Sequence, residues 1–229
     1  ILNTDLVFCE NDDPILIQVS PSGGVLTGAG ISGLYFNPEI AGEGSHVITY
    51  SYSDANSCSA SVSKTLIVNP VPEPQILNTD LVFCENDDPV LIQLSPVGGE
   101  LTGSGITGLY FYPAIAGEGL HEISYSYSDA NSCIVSVSKT MIVNPAPEPQ
   151  ILNTDLVFCE NDDPVQIQLS PVGGELTGTG ITGLYFYPEL AGEGSHVITY
   201  SYSDANSCIS SASKTMIVNP APEPQILNT

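Results

Sequence analysis

Apolar and polar positions alternate along most of this chain, and short glycine- and proline-rich breaks interrupt them. Ile15-Leu16-Ile17-Gln18-Val19 starts the pattern. Related stretches fix its phase. Positions 15, 17 and 19 stay apolar in Val90, Ile92 and Leu94 and in Val165, Ile167 and Leu169, while Leu16 is replaced by Gln166. This predicts a strand with 15, 17 and 19 turned inward. Val25-Leu26-Thr27 and Leu34-Tyr35-Phe36 are shorter strands, the second ended by Pro38. His46 to Tyr52 is the clearest strand. Val47 is replaced by Glu122, so 47, 49 and 51 face solvent while His46, Ile48, Tyr50 and Tyr52 face the core. Asp54-Ala55-Asn56-Ser57 has hairpin-turn chemistry. The strand after it runs from Cys58 to Val68, with Cys58, Ala60, Val62, Lys64, Leu66 and Val68 on one face. No segment has helical spacing.

The comparison of stretches works because the chain repeats. Ile1 to Pro14 returns letter for letter at Ile76 to Pro89 and at Ile151 to Pro164, and begins again at Ile226. The offset is the same each time (76 − 1 = 75, 151 − 76 = 75, 226 − 151 = 75). Such a period dictates the architecture. The expected domains are 1–73, 74–148 and 149–223, with 224–229 the start of a fourth repeat and the chain a window on a longer protein. About seven short strands per unit, separated by Gly/Pro turns, predict an all-β fold of tandem immunoglobulin-like antiparallel β-sandwich repeats. Between units, Asn69-Pro70-Val71-Pro72-Glu73-Pro74-Gln75 reads as an extended Pro-rich linker that spaces the repeats along an axis.

Composition narrows the function. The chain has 3 Lys and Arg together against 26 Asp and Glu, a formal net charge of −23. A nucleic-acid binder needs the opposite sign. An anionic membrane surface is disfavoured for the same reason, and no stretch is long and apolar enough for insertion. Hydrophobic residues make up 42% of the chain, enough for folded cores beneath an acidic, hydroxyl-rich exterior.

Each repeat has two cysteines. A domain as small as one repeat has a thin core and gains from a staple. Pairing within repeats gives Cys9–Cys58, Cys84–Cys133 and Cys159–Cys208. Closing such a loop (58 − 9 = 49) is then worth about 4 kcal/mol of unfolded-state entropy. Pairing across the linker, Cys58–Cys84 and Cys133–Cys159, is the alternative, and six free thiols the third.

An intra-repeat bridge would bring the acidic turn Glu10-Asn11-Asp12-Asp13 to Asp54. Asp12, Asp13 and Asp54, with Asp87, Asp88, Asp129, Asp162, Asp163 and Asp204, are therefore the candidate Ca²⁺ ligands. Their spacing matches no closed calcium loop, and a solvated turn explains them as well. No other cofactor is expected. Lys64, Lys139 and Lys214 fall on the core side of the last strand. They read as ion-paired or snorkelling side chains, with a Lys–Asn isopeptide bond as the sharper alternative. Ser45 and His46 suggest no hydrolase, because Ser45 is replaced by Leu120. Tyr112 and Tyr187 read as isolated surface aromatics. No catalytic residue is expected, and the chain is not expected to be an enzyme.

One set of spaced motifs points to a family. Pro21 to Ile31, Phe36-Asn37-Pro38, Ala41-Gly42-Glu43-Gly44, Ile48 to Asp54, Cys58 and Leu66-Ile67-Val68 resemble the immunoglobulin-like repeats of giant Bacteroidetes-type surface proteins. These are adhesin and gliding-motility proteins exported by the type IX secretion route. The resemblance covers the whole repeat in all three copies. Ser57 departs from it, because the family pattern has Gly before the second Cys. The resemblance implies an extracellular, cell-surface location and a structural role. The expected function is a segment of an extracellular fibre or adhesin stalk that extends a functional tip. The alternative is a repeated binding module for glycan or Ca²⁺ acting through avidity. The expected partners are neighbouring repeats of the same chain and lateral self-association into a filament.

Overall fold

The computed structural model of the protein describes residues 1–226; positions 227–229, in the expected fourth repeat, lie outside the described residues. The chain forms two compact units, residues 1–80, 90–111 and 122–140 in one and residues 81–89, 112–121 and 141–229 in the other. Neither is a single sequence repeat.

The first repeat shows how each copy is built. Its strands are β1 (Val7–Cys9), β2 (Ile15–Leu16), β3 (Val25–Thr27), β4 (Ile31–Ser32), β5 (Tyr35–Phe36), β6 (Gly44–Ser53) and β7 (Ser59–Asn69). They form a four-stranded sheet in the order β1-β7-β6-β3 and a three-stranded sheet in the order β2-β5-β4. The third repeat has the same two sheets. The all-β reading of tandem sandwich repeats holds, with seven strands in the first copy and nine in each of the second and third. One pairing is not antiparallel: β1 runs parallel to β7, with Val7 opposite Ile67, Phe8 opposite Val68 and Cys9 opposite Asn69.

The β6–β7 hairpin pairs along its whole length, from Gly44 opposite Val68 to Ser53 opposite Ser59. Its alternation follows the sequence: Ile48 and Tyr50 are buried and Val47 is exposed. On β7 the alternation buries only the half toward its C-terminal end. Leu66 and Val68 are in the core, Lys64 is half-buried, and Ala60 and Val62 are exposed. In the second and third copies the equivalent positions, Val135 and Val137 and Ser210 and Ala212, are half-buried. The core is Phe8, Ile17, Leu26, Phe36, Ile48, Tyr50, Leu66 and Val68. Phe8 and Phe36 meet across it with ring centroids 5.6 Å apart. Burying such a pair is the largest single apolar contribution available to a domain without Trp.

Each repeat also contains one helical turn that the apolar pattern does not predict: Pro38–Ala41, Pro113–Ala116 and Pro188–Ala191. Proline at the first helical position needs no hydrogen-bond partner. The Oδ1 of Asn37 accepts from Ile40 N at 3.3 Å. In the other copies Tyr112 and Tyr187 stand at the cap position, where their side chains supply no capping hydrogen bond; both are half-buried, not surface aromatics. The turn positions His46, whose Nε2 donates to the Gly42 carbonyl at 2.7 Å.

The segment before β1 crosses between the sheets, and Asn3 fastens the crossing. Its Nδ2 donates to the Leu16 carbonyl (3.1 Å) and its Oδ1 accepts from Gln18 N (2.7 Å). Its own carbonyl accepts from Lys64 Nζ at 2.7 Å. Asn78 with Lys139, and Asn153 with Lys214, repeat the arrangement. The lysines thus hold a main-chain carbonyl, in place of the ion pair expected from charge. The neighbouring Asn carboxamide, the group an isopeptide bond would need, is occupied by two other hydrogen bonds.

The Pro-rich linker is not a free spacer. Pro74, Ile76 and Pro149 are buried. Gln75–Ile76 pairs with Leu94–Ser95, and Gln150–Ile151 with Leu169–Ser170. Each linker therefore ends as the first strand of the repeat that follows it.

The glycine pair before β3 closes the sandwich. Tyr50 Oη donates to the Pro21 carbonyl (2.6 Å) and accepts from Gly24 N (2.7 Å). A Cβ at Gly24 would stand 2.3 Å from the Ser51 carbonyl oxygen, and at Gly174 2.2 Å from that of Ser201. Backbone cannot yield as a side-chain tip can. Gly174→Ala is expected to destabilise the fold by about 1–3 kcal/mol, read as a lowered midpoint in chemical denaturation; an unchanged midpoint would refute the packing described for this loop.

Candidate functional site

The cysteines and the turns that carry them are the candidate site. Cys9 ends β1 and opens a tight turn. Asp12 N donates to the Cys9 carbonyl (3.0 Å), and Asp12 Oδ2 accepts from Cys9 N (2.8 Å). Glu10 N donates to the Asn69 carbonyl, extending the parallel pairing by one bond. The turn is therefore closed on both sides, as the Asn-Asp-Asp-Pro composition favours.

Cys58 closes the opposite kind of structure, the tip of the long hairpin. Asp54 Oδ1 accepts from both Asn56 N and Cys58 N, each at 2.9 Å. Asp54 N donates to the Cys58 carbonyl, and Ser57 N to that of Asp54. Ser57 sits at φ 64°, with Ser132 at 67° and Ser207 at 66°. This is the left-handed region, where glycine is favoured, so serine holds this turn at a cost in strain.

The two turns of one repeat cannot meet. Cys9 lies opposite Asn69, at the far end of β7, whereas Cys58 precedes its start. The strand between those levels (69 − 58 = 11) spans about 36 Å. A disulfide needs Cα atoms roughly 4.4–6.8 Å apart. The intra-repeat pairs Cys9–Cys58, Cys84–Cys133 and Cys159–Cys208 are accordingly not formed, and neither is the cross-linker alternative Cys58–Cys84 or Cys133–Cys159. Cys9 is bonded to Cys133, and Cys84 to Cys208, each with a sequence separation of 124 and with Cα atoms 5.6 and 5.5 Å apart. The acidic turn of one repeat is joined to the hairpin tip of the next.

A hydrogen bond accompanies each bridge. Asn11 Nδ2 donates to the Ile134 carbonyl (3.1 Å), and Asn86 Nδ2 to the Ile209 carbonyl (2.8 Å) and to Ser210 Oγ (3.3 Å). Cys133 and Cys208 are completely buried. Cys58 and Cys159 are free thiols, and both are exposed. Sequence reasoning does not single out Asn11, although it belongs to a stretch kept in every copy.

The joint changes the account of the carboxylates. Convergence of Asp12 and Asp13 with Asp54 depends on a Cys9–Cys58 bond, which is absent. Asp12, Asp87 and Asp162 each cap their own cysteine turn. Asp54, Asp129 and Asp204 each accept two main-chain N–H groups in their own hairpin. Asp13, Asp88 and Asp163 are exposed beside the turns. Among the described residues no group of three or more His, Cys, Asp or Glu is placed to hold a metal ion. His46 and Ser45 form no catalytic arrangement, since His46 holds the Gly42 carbonyl. No described helix is long and apolar enough to cross a membrane.

No protein-family model matches the chain. No curated protein matches it either. Among solved structures, the chain is similar to the insect immune protein hemolin, at 10% identity and a TM-score of 0.32, over 96% of this chain and 75% of that one. It is similar to mouse protocadherin-24 EC1-3, at 10% identity and a TM-score of 0.30, over 96% of this chain and 98% of that one. It is also similar to a Ca²⁺-stabilized, ice-binding adhesin of an Antarctic bacterium, at 12% identity and a TM-score of 0.29, over 83% of this chain and 60% of that one. None of these superposes closely.

Two outcomes are expected. Non-reducing proteolysis with mass spectrometry yields peptides joining Cys9 to Cys133 and Cys84 to Cys208; a peptide joining Cys9 to Cys58 would refute the register on which the joint depends. Because Asp12 and Asp54 and their counterparts are engaged within separate turns, adding Ca²⁺ or a chelator is expected to leave the melting temperature unchanged, and a rise with Ca²⁺ would refute that account of the carboxylates.

Proposed function

We propose that this chain is a structural segment of an extracellular fibre or adhesin stalk, not an enzyme. The observation that carries the reading is the repeated bridge between neighbouring repeats, Cys9–Cys133 and Cys84–Cys208. A disulfide inside one domain stabilises that domain. A disulfide from one repeat to the next, made twice at the same spacing, serves the array. Disulfides persist in oxidising surroundings. The bridges therefore support an extracellular location, as does the resemblance of each repeat to surface proteins exported by the type IX route. The net charge of −23 keeps such an array soluble and self-repelling.

The mechanism is a covalent bypass. Along the main chain, the route from Cys9 to Cys208 runs through every position between them (208 − 9 = 199). Through both disulfides, the route crosses only the stretch from Cys84 to Cys133 (133 − 84 = 49). Tension along the array passes through the bridges, and the stretches from Cys9 to Cys84 and from Cys133 to Cys208 lie outside the stressed path. Unfolding under force then releases less length than it would from an unbridged chain.

Stretching single molecules from end to end tests this. At about 3.4 Å per residue the oxidised chain is expected to unfold to a contour about 500 Å shorter than the reduced chain, the length of the bypassed stretch (199 − 49 = 150). Equal contour lengths with and without reductant would refute the bypass and with it the stalk mechanism.

A further inference from the structure

The two sheets of a repeat turn different chemistry outward. The outer face of the four-stranded sheet is rich in hydroxyls that satisfy one another. Thr49 Oγ1 lies 2.8 Å from Ser63 Oγ, and Ser53 Oγ lies 2.7 Å from Ser59 Oγ. This face also accepts charge: Val25 is replaced by Glu100 and Glu175, and Val47 by Glu122.

The three-stranded sheet has an apolar outer face. Ile15, Phe36 and Ile31 stand in register in its inner row, and Leu16, Tyr35 and Ser32 in its outer row. Leu2 lies beside them, because Leu2 N donates to the Gln18 carbonyl. Leu2, Leu16 and Tyr35 are 58%, 48% and 52% exposed. The second copy has Leu77, Leu91 and Tyr110 at these places, and the third has Leu152, Gln166 and Tyr185. Beside Leu91 the surface opens into a groove lined also by Leu94, Val97 and Leu109. Contiguous exposed apolar side chains of this kind mark interaction sites, and Tyr is enriched in them.

Charge and spacing together indicate what covers this face. Positions 2, 16, 18, 32 and 35 carry no charge, and neither do their counterparts in the other copies, in a chain with 26 Asp and Glu. A basic partner would be drawn to the acidic surface and would gain nothing from an uncharged window. A partner that is itself acidic meets least repulsion there. The face also recurs at the 75-residue interval (77 − 2 = 75, 152 − 77 = 75). It is no property of an end repeat, since Leu77 and Leu91 of the middle copy are 46% and 45% exposed. A second copy of this chain meets both conditions, being acidic and carrying the face at the same interval.

We infer that the outer face of the three-stranded sheet docks the same face of a second copy of this chain. Leu16 and Tyr35 of one molecule pack on Tyr35 and Leu16 of the other. The contact is isologous, and a Leu beside a Tyr is self-complementary about a two-fold axis. One such face is small. Faces repeated at one interval in both partners engage together, so several weak contacts make a lasting one. The inference rests on the chemistry of the face and not on the stalk reading, because a stalk of single chains needs no such contact.

Sedimentation of the full chain at rising concentration, with the free thiols alkylated, is the test. Association is expected, and it is expected to strengthen between about 0.01 and 1 M salt, as the screening length falls from about 30 to about 3 Å and the repulsion between acidic surfaces is removed. Leu16→Glu combined with Leu91→Glu places charge in the face and is expected to weaken association more than about tenfold. The third copy has Gln166 at this position, so Leu16→Gln with Leu91→Gln is the variant that keeps the fold, and it is expected to act in the same direction. An unchanged denaturation midpoint verifies folding in each case. Val25→Glu with Val47→Glu adds the same charge to the other sheet, where other copies carry Glu, and is expected to leave association near that of the unsubstituted chain. The inference is overturned if the unsubstituted chain stays monomeric at every salt concentration, if association weakens as salt rises, or if the two pairs of Glu substitutions weaken it alike. None of these outcomes bears on the contour length that tests the bypass.

Discussion

The parallel pairing of the first strand with the end of the last is the constraint on which the rest depends. Opposite Val68, Phe8 enters the core and reaches Phe36. The same register sends Cys9 past the core, level with Asn69. The hairpin tip that carries the second cysteine is then a full strand-length away. A slip that brought Cys9 level with Cys58 would require β1 to leave the only part of β7 that is buried. Core packing and disulfide pairing are therefore not separate choices. The register that buries Phe8 prevents a bridge within the repeat and leaves both cysteines for neighbours.

The chain's scarce positive charge is committed to this same region. With only 3 Lys and Arg against 26 Asp and Glu, pairing each Lys with an acidic side chain would be the obvious use. Each instead holds the carbonyl of the asparagine where the chain crosses from one sheet to the other. A hydrogen bond from a charged donor is worth more than a neutral one. The carbonyl at such a crossing has no strand neighbour to satisfy it. The side chain of the same asparagine imitates a strand partner for Leu16 and Gln18. The crossing fixes where β1 begins, and so contributes to the register that follows.

Local features of this fold are legible in the sequence, and features set by distant pairing are not. Alternation places the inward faces of 15–19 and 46–52 correctly, because both are local properties of a strand over a core. The same rule puts Ala60 and Val62 inward on the last strand, where they are exposed, since alternation says which side a residue faces and not whether anything lies there. The turn at Pro38 escapes it because a single helical turn is too short to show a 3.6-residue period; Asn-Pro at its start is the available signal. The cysteine partners escape it because a repeat boundary drawn on sequence is no boundary for bonds. Two facts in the chain bear on them. Cys58 follows a turn and precedes an eleven-residue strand. A short strand paired anywhere but at the start of that strand puts Cys9 out of reach.

The spacing of the bridges explains why a disulfide between repeats differs in kind from one within them. Bridges of separation 49 in a period of 75 would close loops that never overlap. The main chain between one loop and the next would then be the only covalent connection, and each linker would carry all the tension. A separation of 124 exceeds the period, so successive loops overlap between Cys84 and Cys133. Overlap is what gives Cys9 and Cys208 a route that uses both bridges. It also means the two bridges are not independent staples. Each constrains part of the chain already constrained by the other, so their entropic contributions fall short of the sum of two separate loops. The arrangement gives up some stability per bridge in return for continuity along the array. That exchange makes sense where resistance to extension matters more than the stability of any single domain.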